Sequence, residues 1–594
     1  MPVRYAMNKQ PRYLLALAIF CSVLLQGRDS QALDRQVPGQ YPTINAAIAI
    51  ANDGDRILVS PGTYQEFVDY EGKSLEIIGV DGPEFTFLDG AGSFLSVVKM
   101  ESISTSCRLS GFTVQNGFGV SCGEPLSLCG GGLIVIDSVS TIDNCMFLEN
   151  SSSRGGGVHS ENSNITISDC VFLNNFASQG GGLSVEGGSC TISQSQFLEN
   201  LSYGWGGGFF AGGESQINVL DCDFLQNSGE SGGGFFMSMA NGSFSQCLVE
   251  GNFATDEGGG GLFEQFSNFE VSGLQVLGNI ANDGGGLGVT HFSDLNIVDS
   301  TISGNTANHD GGGIYNFETF STFARLRVTD NSAAHQGGGL FLRILGDPRV
   351  ENCLILNNHA SDSGGGVACV EGVSALFLHC TIDSNSTYGK GGGIRAELLA
   401  NPTIVNSVIW RNDATREAGL SEGPLADFNL IHVLMQGADP EEPLVFQKDA
   451  ELDDFGYPGE CSAAIDEGTD DYPGLPVTDI DGVLRPQGLR RDLGAHEALG
   501  YGHCFLRGDC NGNLSIDISA ALTVLGYLFN SEDTEGCVDA CDFQDDGFVT
   551  ITDAIQIISL LFQDGPSPAA PYPLPGPDVN LNNSQPDSCW ILGD

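Results

Sequence analysis

Runs of three glycines recur at an almost constant interval through the middle of the chain. They begin at Gly130, Gly155, Gly180, Gly206, Gly232, Gly258, Gly284, Gly311, Gly337, Gly364 and Gly391, and successive starts are 25 to 27 residues apart. A period of this length is typical of a solenoid, in which one repeat cannot bury its apolar face alone and must stack on its neighbours. The triplets therefore predict a rod of stacked coils.

Three further columns of residues keep the register of the triplets. An asparagine lies five or six residues before each triplet from Gly155 onward, and one more closes the series: Asn150, Asn175, Asn200, Asn227, Asn252, Asn279, Asn305, Asn331, Asn358, Asn385 and Asn412. The residue three before each asparagine is apolar: Phe147, Phe172, Phe197, Phe224, Val249, Val276, Ile302, Val328, Ile355, Ile382 and Ile409. The residue five before it is small, apart from Leu274 and Leu326: Cys145, Cys170, Ser195, Cys222, Cys247, Ser300, Cys353, Cys380 and Ser407.

The composition indicates that the coils are made of strands. The chain has 82 Gly in 594 residues and only 16% charged residues. So much glycine opposes helical repeats, and a coiled coil would need more charge. Short alternating runs such as residues 165–167 are typical of strands. We expect an all-β, right-handed parallel β-helix of about fourteen coils, roughly 4.8 Å apart, with three short strands and three turns in each.

Each column then has an expected structural role. The asparagines should form an internal ladder of amides, and the triplets should let the chain turn through positive φ without a Cβ that crowds the next coil. Cysteines stacked in register have parallel Cβ vectors, which disfavours disulfides, so the six cysteines of the column should be buried thiols. Cys122 and Cys129 bracket an insertion instead and are expected to pair.

The second residue after a triplet should point outward if the first and third point inward. We expect an exposed aromatic stripe at such positions, formed by Phe210, Phe236, Phe263, Tyr315 and Phe341. Exposed rings along a rod would stack on sugar rings or dock a partner, which makes this stripe a candidate ligand face. The alternative is that the rings stack only on one another between coils.

The repeat resembles a known family in its detail. The Phe-x-x-Asn spacing at 147–150, 172–175, 197–200 and 224–227, alternating with Gly-Gly-Gly-apolar, resembles the polymorphic outer-membrane protein repeats of chlamydiae over residues 112–412. That resemblance implies a surface-displayed β-helix associated with adhesion, and it does not extend to the transporter barrel of that family.

The two ends of the rod carry other resemblances. Residues 41–53 predict a short amphipathic helix that caps the first coil. The segment 54–64 resembles the first coils of pectin-esterase-like and pectate-lyase-like β-helices, without their catalytic signatures. Residues 413–500 resemble the choice-of-anchor Q region that closes secreted bacterial β-helix proteins. Packing and capping are the expected roles of that segment, and metal binding by its acids is the alternative.

Residues 503–564 contain two related acidic loops, each followed by an apolar run. The second loop offers calcium ligands at Asp542, Gln544, Asp546, Phe548 through its carbonyl, Thr550 and Asp553, with glycine at the sixth position. This arrangement suits Ca²⁺, which prefers oxygen ligands and needs a tight turn in the loop. The first loop offers Asp509, Asn511, Asn513, Ser515 and Asp517. We expect the first loop to bind weakly or not at all, because Leu514 and Ala520 replace the glycine and the last carboxylate.

The pair of loops resembles a type I dockerin, which implies calcium-dependent docking to a cohesin-like protein partner. A calcium-stapled domain without a partner is the alternative. Further disulfides are expected here, with their pairing open, among Cys504, Cys510, Cys537, Cys541 and Cys589. Residues 565–594 predict a stiff, proline-rich tail.

The first 32 residues predict a secretory signal that is removed. Three basic residues precede an apolar run over 14–25, and small residues at Ser30 and Ala32 suit a signal peptidase. The run is too short to cross a bilayer as a helix. We therefore expect a secreted, extracellular or surface-associated protein.

The charge narrows the expected partners. Lys and Arg number 23 against 75 Asp and Glu, so the formal charge is −52, which excludes nucleic-acid binding. The carboxylates and histidines form no recognisable catalytic set. Three functions are open: a monomeric binding or adhesion rod for carbohydrate or a protein partner, a polysaccharide lyase or glycoside hydrolase, and a structural envelope protein.

Overall fold

The computed structural model describes residues 32–577 except 92–94, 123–126, 345, 437–444, 447–448, 460, 489, 499–503, 514, 531–537 and 573–575. The predicted signal, apart from Ala32, lies outside the described residues. The same holds for Leu514, Cys537, Cys589 and the tail beyond 577.

Most of the chain forms a parallel β-solenoid of about 15 coils. Each complete coil has four short strands, and we call the columns that they form faces A to D, in chain order from the glycine triplet. The sequence predicted three strands per coil. The fourth is a strand of two to five residues between the asparagine and the next triplet.

Face A follows the triplets, and its strands are Val68–Asp69, Val98–Glu101, Leu133–Ile136, Phe209–Gly212, Phe235–Ser238, Gly261–Glu264, Leu287–Thr290, Ile314–Phe317, Leu340–Arg343, Val367–Val370, Ile394–Glu397 and Leu420–Glu422. Face B consists of Asp34–Val37, Arg56–Val59, Glu76–Gly79, Cys107–Ser110, Val139–Asp143, Gln216–Leu220, Asn241–Ser245, Asn268–Ser272, Asp294–Val298, Thr322–Ala324, Arg349–Glu351 and Leu376–Leu378. Val158–Ser168 and Leu183–Ser193 bend through a corner and belong to both faces.

Face C consists of Gly62–Tyr64, Thr86–Asp89, Thr113–Gln115, Met146–Leu148, Val171–Leu173, Gln196–Leu198, Asp223–Leu225, Leu248–Glu250, Gln275–Leu277, Thr301–Ser303, Arg327–Thr329, Leu354–Leu356, Thr381–Asp383 and Val445–Phe446. Thr403–Trp410 and Asn429–Met435 belong to faces B and C. Face D consists of Phe176–Gln179, Leu201–Trp205, Ser228–Gly229, Phe253–Ala254, Ile280–Ala281, Thr306–Ala307, Ser332–Ala333, His359–Ala360, Ser386–Lys390 and Asp413–Arg416.

The asparagines form a continuous ladder inside the solenoid, at the corner between faces C and D. The Oδ1 of each asparagine accepts hydrogen bonds from the backbone N–H and the Nδ2 of the preceding asparagine, at 2.8–3.1 Å from Asn150 to Asn412. Each Nδ2 also donates to a carbonyl of the preceding coil, as Asn175 does to Phe147 at 2.8 Å. The buried amides are thus fully paired, as burial requires.

Apolar rings stack beside this ladder. Phe147, Phe172, Phe197 and Phe224 follow one another with ring centroids 4.5–5.1 Å apart. The small-residue column is buried next to them, and its cysteines are free thiols, which confirms that prediction. Cys122 and Cys129 are bonded, as expected.

The triplets need glycine for two reasons. The first glycine of every triplet has a φ of 60–69°, the left-handed region that a side chain disfavours. At the second position the coils approach too closely for a side chain: a Cβ on Gly156 would lie 2.4 Å from the carbonyl oxygen of Gly181.

The N-terminal helix Ile44–Ile50 covers the first coils, as the sequence predicted. Its N-cap is Thr43, whose side chain accepts from the N–H of Ala46, and its buried face is Ile44, Ala47 and Ile48. The strand Asp34–Val37 precedes the helix and already pairs with Arg56–Val59, so the stacking begins before it.

The C-terminal end differs from the expectation. The strands Asp413–Arg416, Leu420–Glu422, Asn429–Met435 and Val445–Phe446 continue the stacking past Asn412, and the described residues between 449 and 498 lie along the outer side of face C. There Leu354 and Leu356 pack against Ile480 and Ala495. The outer side of face C is apolar in these coils and needs a cover, which explains the position of the segment.

Polar contacts fix this flanking segment. The carbonyl of Asp492 is 3.1 Å from Nδ1 of His379, and Asn406 donates to the carbonyl of Thr469 at 2.9 Å. A fully buried ion pair between Arg485 and Glu497, at 2.8 Å, joins two parts of the same segment.

Beyond the solenoid, residues 504–577 contain the helices Ile518–Asn530, Val538–Cys541 and Ile551–Gln563. The first and last of these helices pack together, and a disulfide joins Cys510 to Cys541. Antiparallel pairs form between Cys504–Phe505 and Gly576–Pro577, and in the solenoid between Val120–Ser121 and Leu128–Cys129. Among the described residues, none of the helices is both long enough and apolar enough to cross a membrane.

Candidate functional site

The outer side of face A, together with the corner that leads into it, carries side chains that vary from coil to coil. The eleven residues that immediately precede the triplets are of eight different types: Cys129, Arg154, Gln179, Trp205, Ser231, Glu257, Asp283, Asp310, Gln336, Ser363 and Lys390. We call these eleven residues the variable column. With the outward side chains of face A they form what we call the outer strip.

The predicted aromatic stripe is not exposed. Phe210, Phe236, Tyr315 and Phe341 do point outward from face A, but only 2–7% of each residue is accessible. Phe263 points inward and packs in the core on Phe235 and Phe269, because Gly261 occupies the first position after its triplet and Phe263 is therefore the third residue, paired with the inward Met237. The expected exposure was therefore wrong for all five rings.

These rings stack between coils, which was the alternative at the sequence level. Phe210 and Phe236 lie 5.8 Å apart at 20°, and Tyr315 and Phe341 lie 5.4 Å apart at 10°. They form two apolar clusters on the outer strip, the first completed by Leu262. Gly288 separates the two clusters in the same outward position.

Trp205 of the variable column covers the first cluster and remains accessible. Its ring centroid lies 5.7 Å from Phe236 at 20° and 6.2 Å from Phe210 at 22°, while 43% of the residue is exposed. Trp205 ends a strand in which one more residue lies between Asn200 and the triplet than in the coil before, so the register shifts there. The extra residue places the indole above the rings and not beside them.

A surface pocket of about 330 Å³ opens beside this indole. Its lining is otherwise polar, with Ser127, Ser153, Arg154, Ser178, Gln179, Gly204 and Glu230 around Trp205. Arg154 is held by an ion pair with Glu186 at 2.9 Å. The pocket thus combines one aromatic face with several hydrogen-bonding groups.

Acids gather on the outer strip two and three coils further on. Burial and the nearby charges of Asp256 and Asp283 raise the pKa of Glu257 to about 7. Burial and the acids Glu257 and Asp283 also raise the pKa of Tyr315. Arg343 interacts with the same tyrosine from the next coil and forms an ion pair with Glu371 at 2.9 Å. We call Glu257, Asp283 and Tyr315 beside Gly288 the acidic gap.

The second acidic loop of the C-terminal module folds around its first carboxylate. Asp542 accepts the backbone N–H of Asp546 at 3.2 Å and of Gly547 at 2.7 Å, and Gly547 has a φ of 85°. Asp553 is fully buried at the start of the last helix and accepts from Phe543 and Thr550. Gln544 and Phe548 lie on the same loop, where the Nε2 of Gln544 and the N–H of Phe548 both donate to Asp546.

The first loop keeps part of the same arrangement. Asp509 is buried and accepts the N–H of Asn513 at 3.1 Å, and Asp517 accepts from Ser519. The Oδ1 of Asn511 is buried and makes no hydrogen bond within the described residues. A cation would satisfy such an oxygen, so Asn511 of the first loop fits the role of a calcium ligand.

Sequence reasoning missed Trp205 and Glu257. The signal that could have found them is their position: a tryptophan and an acid stand immediately before triplets, in a column that keeps no residue type. Two outward rings of the predicted stripe, Phe210 and Phe236, pack against Trp205 of this column.

A family model described as right handed beta helix region matches residues 98–276 and 262–438, in agreement with the solenoid. No curated protein matches the chain. Among solved structures, a periplasmic alginate epimerase has 11% identity, covers 68% of this chain and 84% of its own, and gives a TM-score of 0.31.

Two further structures show the range of proteins that resemble it. The catalytic domain of a GH87 alpha-1,3-glucanase has 12% identity, covers 67% of this chain and 69% of its own, and gives a TM-score of 0.30. A surface adhesin of Streptococcus pneumoniae has 12% identity, covers 67% of this chain and 88% of its own, and gives a TM-score of 0.22.

Proposed function

Because the chain belongs to the right-handed β-helix family, we propose that it is a secreted rod that binds polysaccharide along its outer strip. The observation that carries this proposal is the exposed indole of Trp205 in a polar pocket. A sugar ring presents a C–H face that packs on an aromatic ring and hydroxyl groups at its edge that need donors and acceptors. The indole supplies the aromatic ring, and Arg154, Gln179 and Glu230 supply the hydrogen-bond donors and acceptors.

The support beneath Trp205 favours a preformed site. Its ring rests on Phe236 and Phe210, which are themselves buried. A side chain held in this way loses little conformational freedom when a ligand binds, so more of the contact energy appears as affinity. The ion pair between Arg154 and Glu186 orients the guanidinium in the same manner.

The charge of the chain indicates which polysaccharide to expect. With a formal net charge of −52, the protein repels polyanions, and the acidic gap continues the negative surface along the strip. We therefore expect neutral glycans to bind without added cations, and anionic glycans to bind only when a divalent cation bridges the charges.

The test uses the full chain and a panel of neutral and anionic polysaccharides in affinity electrophoresis and calorimetry. Trp205→Ala should lower the affinity of the best ligand at least about tenfold, since the loss of a central aromatic contact is worth more than 1.4 kcal/mol. The matched control is Tyr388→Ala, an aromatic residue that is 74% exposed on the same face D but outside the pocket. It should leave the affinity unchanged.

Two results would overturn the proposal. One is that the native chain binds no member of the panel, and the other is that Trp205→Ala binds as tightly as the native chain. A thermal melt of each variant checks that the solenoid is intact.

Cleavage of the bound polysaccharide is a second candidate function, and the acidic gap favours it. A carboxylic acid with a pKa near 7 beside further carboxyl groups is the pairing that general acid catalysis of glycoside cleavage uses. Glu257 lies two coils from Trp205, roughly 10 Å at the coil spacing. A chain of sugars lying along the strip would therefore reach both.

The release of reducing ends by the native chain tests this candidate. Glu257→Gln should abolish the release, and Glu250→Gln, an exposed acid on face C, should not change it. The rate should fall as the pH rises through about 7, because Glu257 then loses the proton that it would donate. Release that persists in Glu257→Gln, or no release from the native chain, contradicts cleavage at this site.

For the C-terminal module we propose calcium binding in the loop 542–553 and docking to a cohesin-like partner. Support comes from the curled loop around Asp542 and from the dockerin-like spacing of the two loops. In calcium titrations of the full chain, Asp542→Asn should reduce binding more than Asp509→Asn in the first loop. An equal effect of the two variants, or no calcium binding by the native chain, would contradict the assignment.

A further inference from the structure

Two histidines and an aspartate converge on the outer strip, one coil beyond the acidic gap. His309 and Asp310 precede the triplet at Gly311, and His335 occupies the corresponding place in the next coil. One ligand atom from each of the three lies within 4.8 Å of the others. Successive coils bring these residues together, so the backbone of the solenoid fixes their spacing.

The carboxylate of Asp310 lies between the two imidazoles. Its Oδ1 is 2.8 Å from Nδ1 of His335, and its Oδ2 is 3.2 Å from Nδ1 of His309. The rings stack at 4.8 Å with only 10° between their planes. Both Nδ1 atoms therefore face the same carboxylate, which makes a compact set of two nitrogen ligands and one oxygen ligand.

The backbone and the burial hold Asp310 in this position. Its side chain is only 5% exposed, and Oδ1 also accepts the N–H of Gln336 at 2.9 Å. Asp283 in the coil before accepts the N–H of Asp310 at 2.9 Å. By contrast, 52% of the His309 side chain and 43% of the His335 side chain are exposed, so an ion in solution can reach the nitrogens.

The charge around the cluster is uncompensated. Asp283 lies 3.0 Å from His309, and Asp362 lies 3.6 Å from His335, in addition to Asp310. Within the described part of the chain, none of these three acids forms an ion pair with Lys or Arg; the histidines are their only basic partners. Three carboxyl groups thus surround two imidazoles without a Lys or Arg partner in the described residues, an arrangement that favours a bound cation.

A second cluster shows what a satisfied arrangement looks like. Asp479, Asp481 and His496 of the flanking segment also come within 4.8 Å. There Asp481 pairs with Arg327 at 2.9 Å, and Asp479 accepts the N–H groups of Val483 and Glu497. These groups hold the segment against the solenoid, and Arg327 already supplies the positive charge. The cluster at His309 has no such partner in the described residues.

We propose that His309, Asp310 and His335 form a binding site for a first-row transition metal ion, with Zn²⁺ as the best-matched ion. Imidazole nitrogens select zinc, copper, nickel or iron over calcium and magnesium, which prefer oxygen alone. Two histidines, one carboxylate and a solvent position complete the four-coordinate geometry that zinc prefers. The site is separate from the calcium loops and from the Trp205 pocket.

The test titrates the metal-free full chain with Co²⁺ and Zn²⁺ in saturating Ca²⁺, so that the C-terminal loops are already filled. Bound Co²⁺ should give the visible absorption of a site with histidine ligands, at one ion per chain, and Zn²⁺ should displace it. His309→Ala and His335→Gln should each weaken binding at least about 100-fold, since even the residues behind metal ligands change affinity by 10–100-fold.

The control is His291→Ala, an exposed histidine that lies 3.4 Å from the single carboxylate of Glu264. It should bind Co²⁺ like the native chain. Both tested histidines are exposed, so their variants should fold, and Asp310→Asn provides a third variant that keeps the side-chain volume. Absence of the Co²⁺ spectrum in the native chain would overturn the proposal, as would a spectrum that survives in both histidine variants.

Discussion

Two columns of side chains lie at the two ends of face D and behave in opposite ways. The ladder keeps asparagine from Asn150 to Asn412 without exception, whereas the variable column, four or five residues later, changes at almost every coil. Both belong to backbone that pairs in register with the coils above and below. The difference therefore comes from what the side chains do.

An asparagine of the ladder is bonded to both neighbouring coils. Asn252 accepts from the N–H and Nδ2 of Asn227 and donates to Asn279 and to the carbonyl of Phe224. A change at one coil thus leaves unpaired groups in two others. In the variable column the coils are joined mainly through the backbone, as in the hydrogen bond from Gly232 to the carbonyl of Glu257, and only the carboxylates of Asp283 and Asp310 also accept a backbone N–H of the next coil among the described members of the column. Any side chain that suits the surface is compatible with the fold there, so chemistry can be placed in that column without cost to the solenoid.

The largest effect that we predict is for Asn252→Ala. The variant removes the acceptor of the N–H and the Nδ2 of Asn227 and the donor to the carbonyl of Phe224, while the Oδ1 of Asn279 keeps the backbone N–H of position 252. Because the lost bonds lie inside the core, the variant should lower the free energy of unfolding by about 3–5 kcal/mol. Denaturant unfolding followed by circular dichroism measures this loss.

Asn412→Ala is the matched control at the end of the ladder. Asn412 accepts from Asn385 and donates to the carbonyl of Ile382, but it donates to no further asparagine and is slightly exposed. Its loss should therefore be smaller. Equal losses at both positions would show that the ladder does not couple successive coils.

In the variable column we predict a gain in stability from Glu257→Gln at alkaline pH. The pKa of Glu257 is about 7 in the folded chain and lies at its ordinary value of 4.5 when unfolded, so the folded state holds the proton more tightly. Stability should therefore fall as the pH rises from about 4.5 to about 7, by about 1–3 kcal/mol for this group, and stay lower above it.

The glutamine cannot ionise and should remove this loss. Melting temperatures of the native chain and the variant should coincide near pH 4.5 and diverge in favour of Glu257→Gln at pH 8. A variant that is less stable than the native chain at pH 8 would show that the acid is a structural partner and not a strained charge.

A third prediction concerns the small-residue column, which permits two residue types. Burial raises the pKa of Cys222 to about 12, and its Sγ lies 3.2 Å from the carbonyl of Leu220. Ser195 makes the same contact from its own coil, at 2.8 Å to the carbonyl of Ser193. Cys222→Ser should therefore cost less than about 1 kcal/mol, because a hydroxyl replaces the thiol in the same hydrogen bond.

The native thiol should also resist alkylation at pH 8, because almost none of it is ionised. Rapid modification of Cys222 in the folded chain, measured by mass spectrometry, would mean that the column opens to solvent.

The interior of the solenoid could be predicted from the sequence because its roles repeat. One asparagine or one glycine triplet says little, but eleven in register define a spacing, and the spacing defines a coil. The fourth strand was missed because the segment between asparagine and triplet is short and varies by one residue, as between Asn175 and Asn200. Phe263 was misplaced because four glycines run together there: Gly261 pairs with Phe235 and Leu287 as the first residue after the triplet, so Phe263 is the third and not the second.

The outer strip could not be predicted in this way, because it has no repeated residue to align. Trp205 and Glu257 matter through what neighbouring coils place beside them, which only the register shows. The position of the flanking segment could not be predicted either. No pattern in residues 449–498 indicates that they pack on Leu354 and Leu356, which lie about a hundred residues earlier in the sequence.

The smallest predicted effect lies at the far end of the variable column. Lys390 is partly exposed and lies 3.6 Å from Glu417, an ion pair that solvent and salt screen. Lys390→Ala should change the free energy of unfolding by no more than about 0.5 kcal/mol, and less in high salt. The same denaturant measurement that detects Asn252→Ala serves here, so the two values compare directly. If Lys390→Ala were as damaging as the ladder variant, side chains of the variable column would carry the stacking as well, and the freedom that allows a binding site there would not exist.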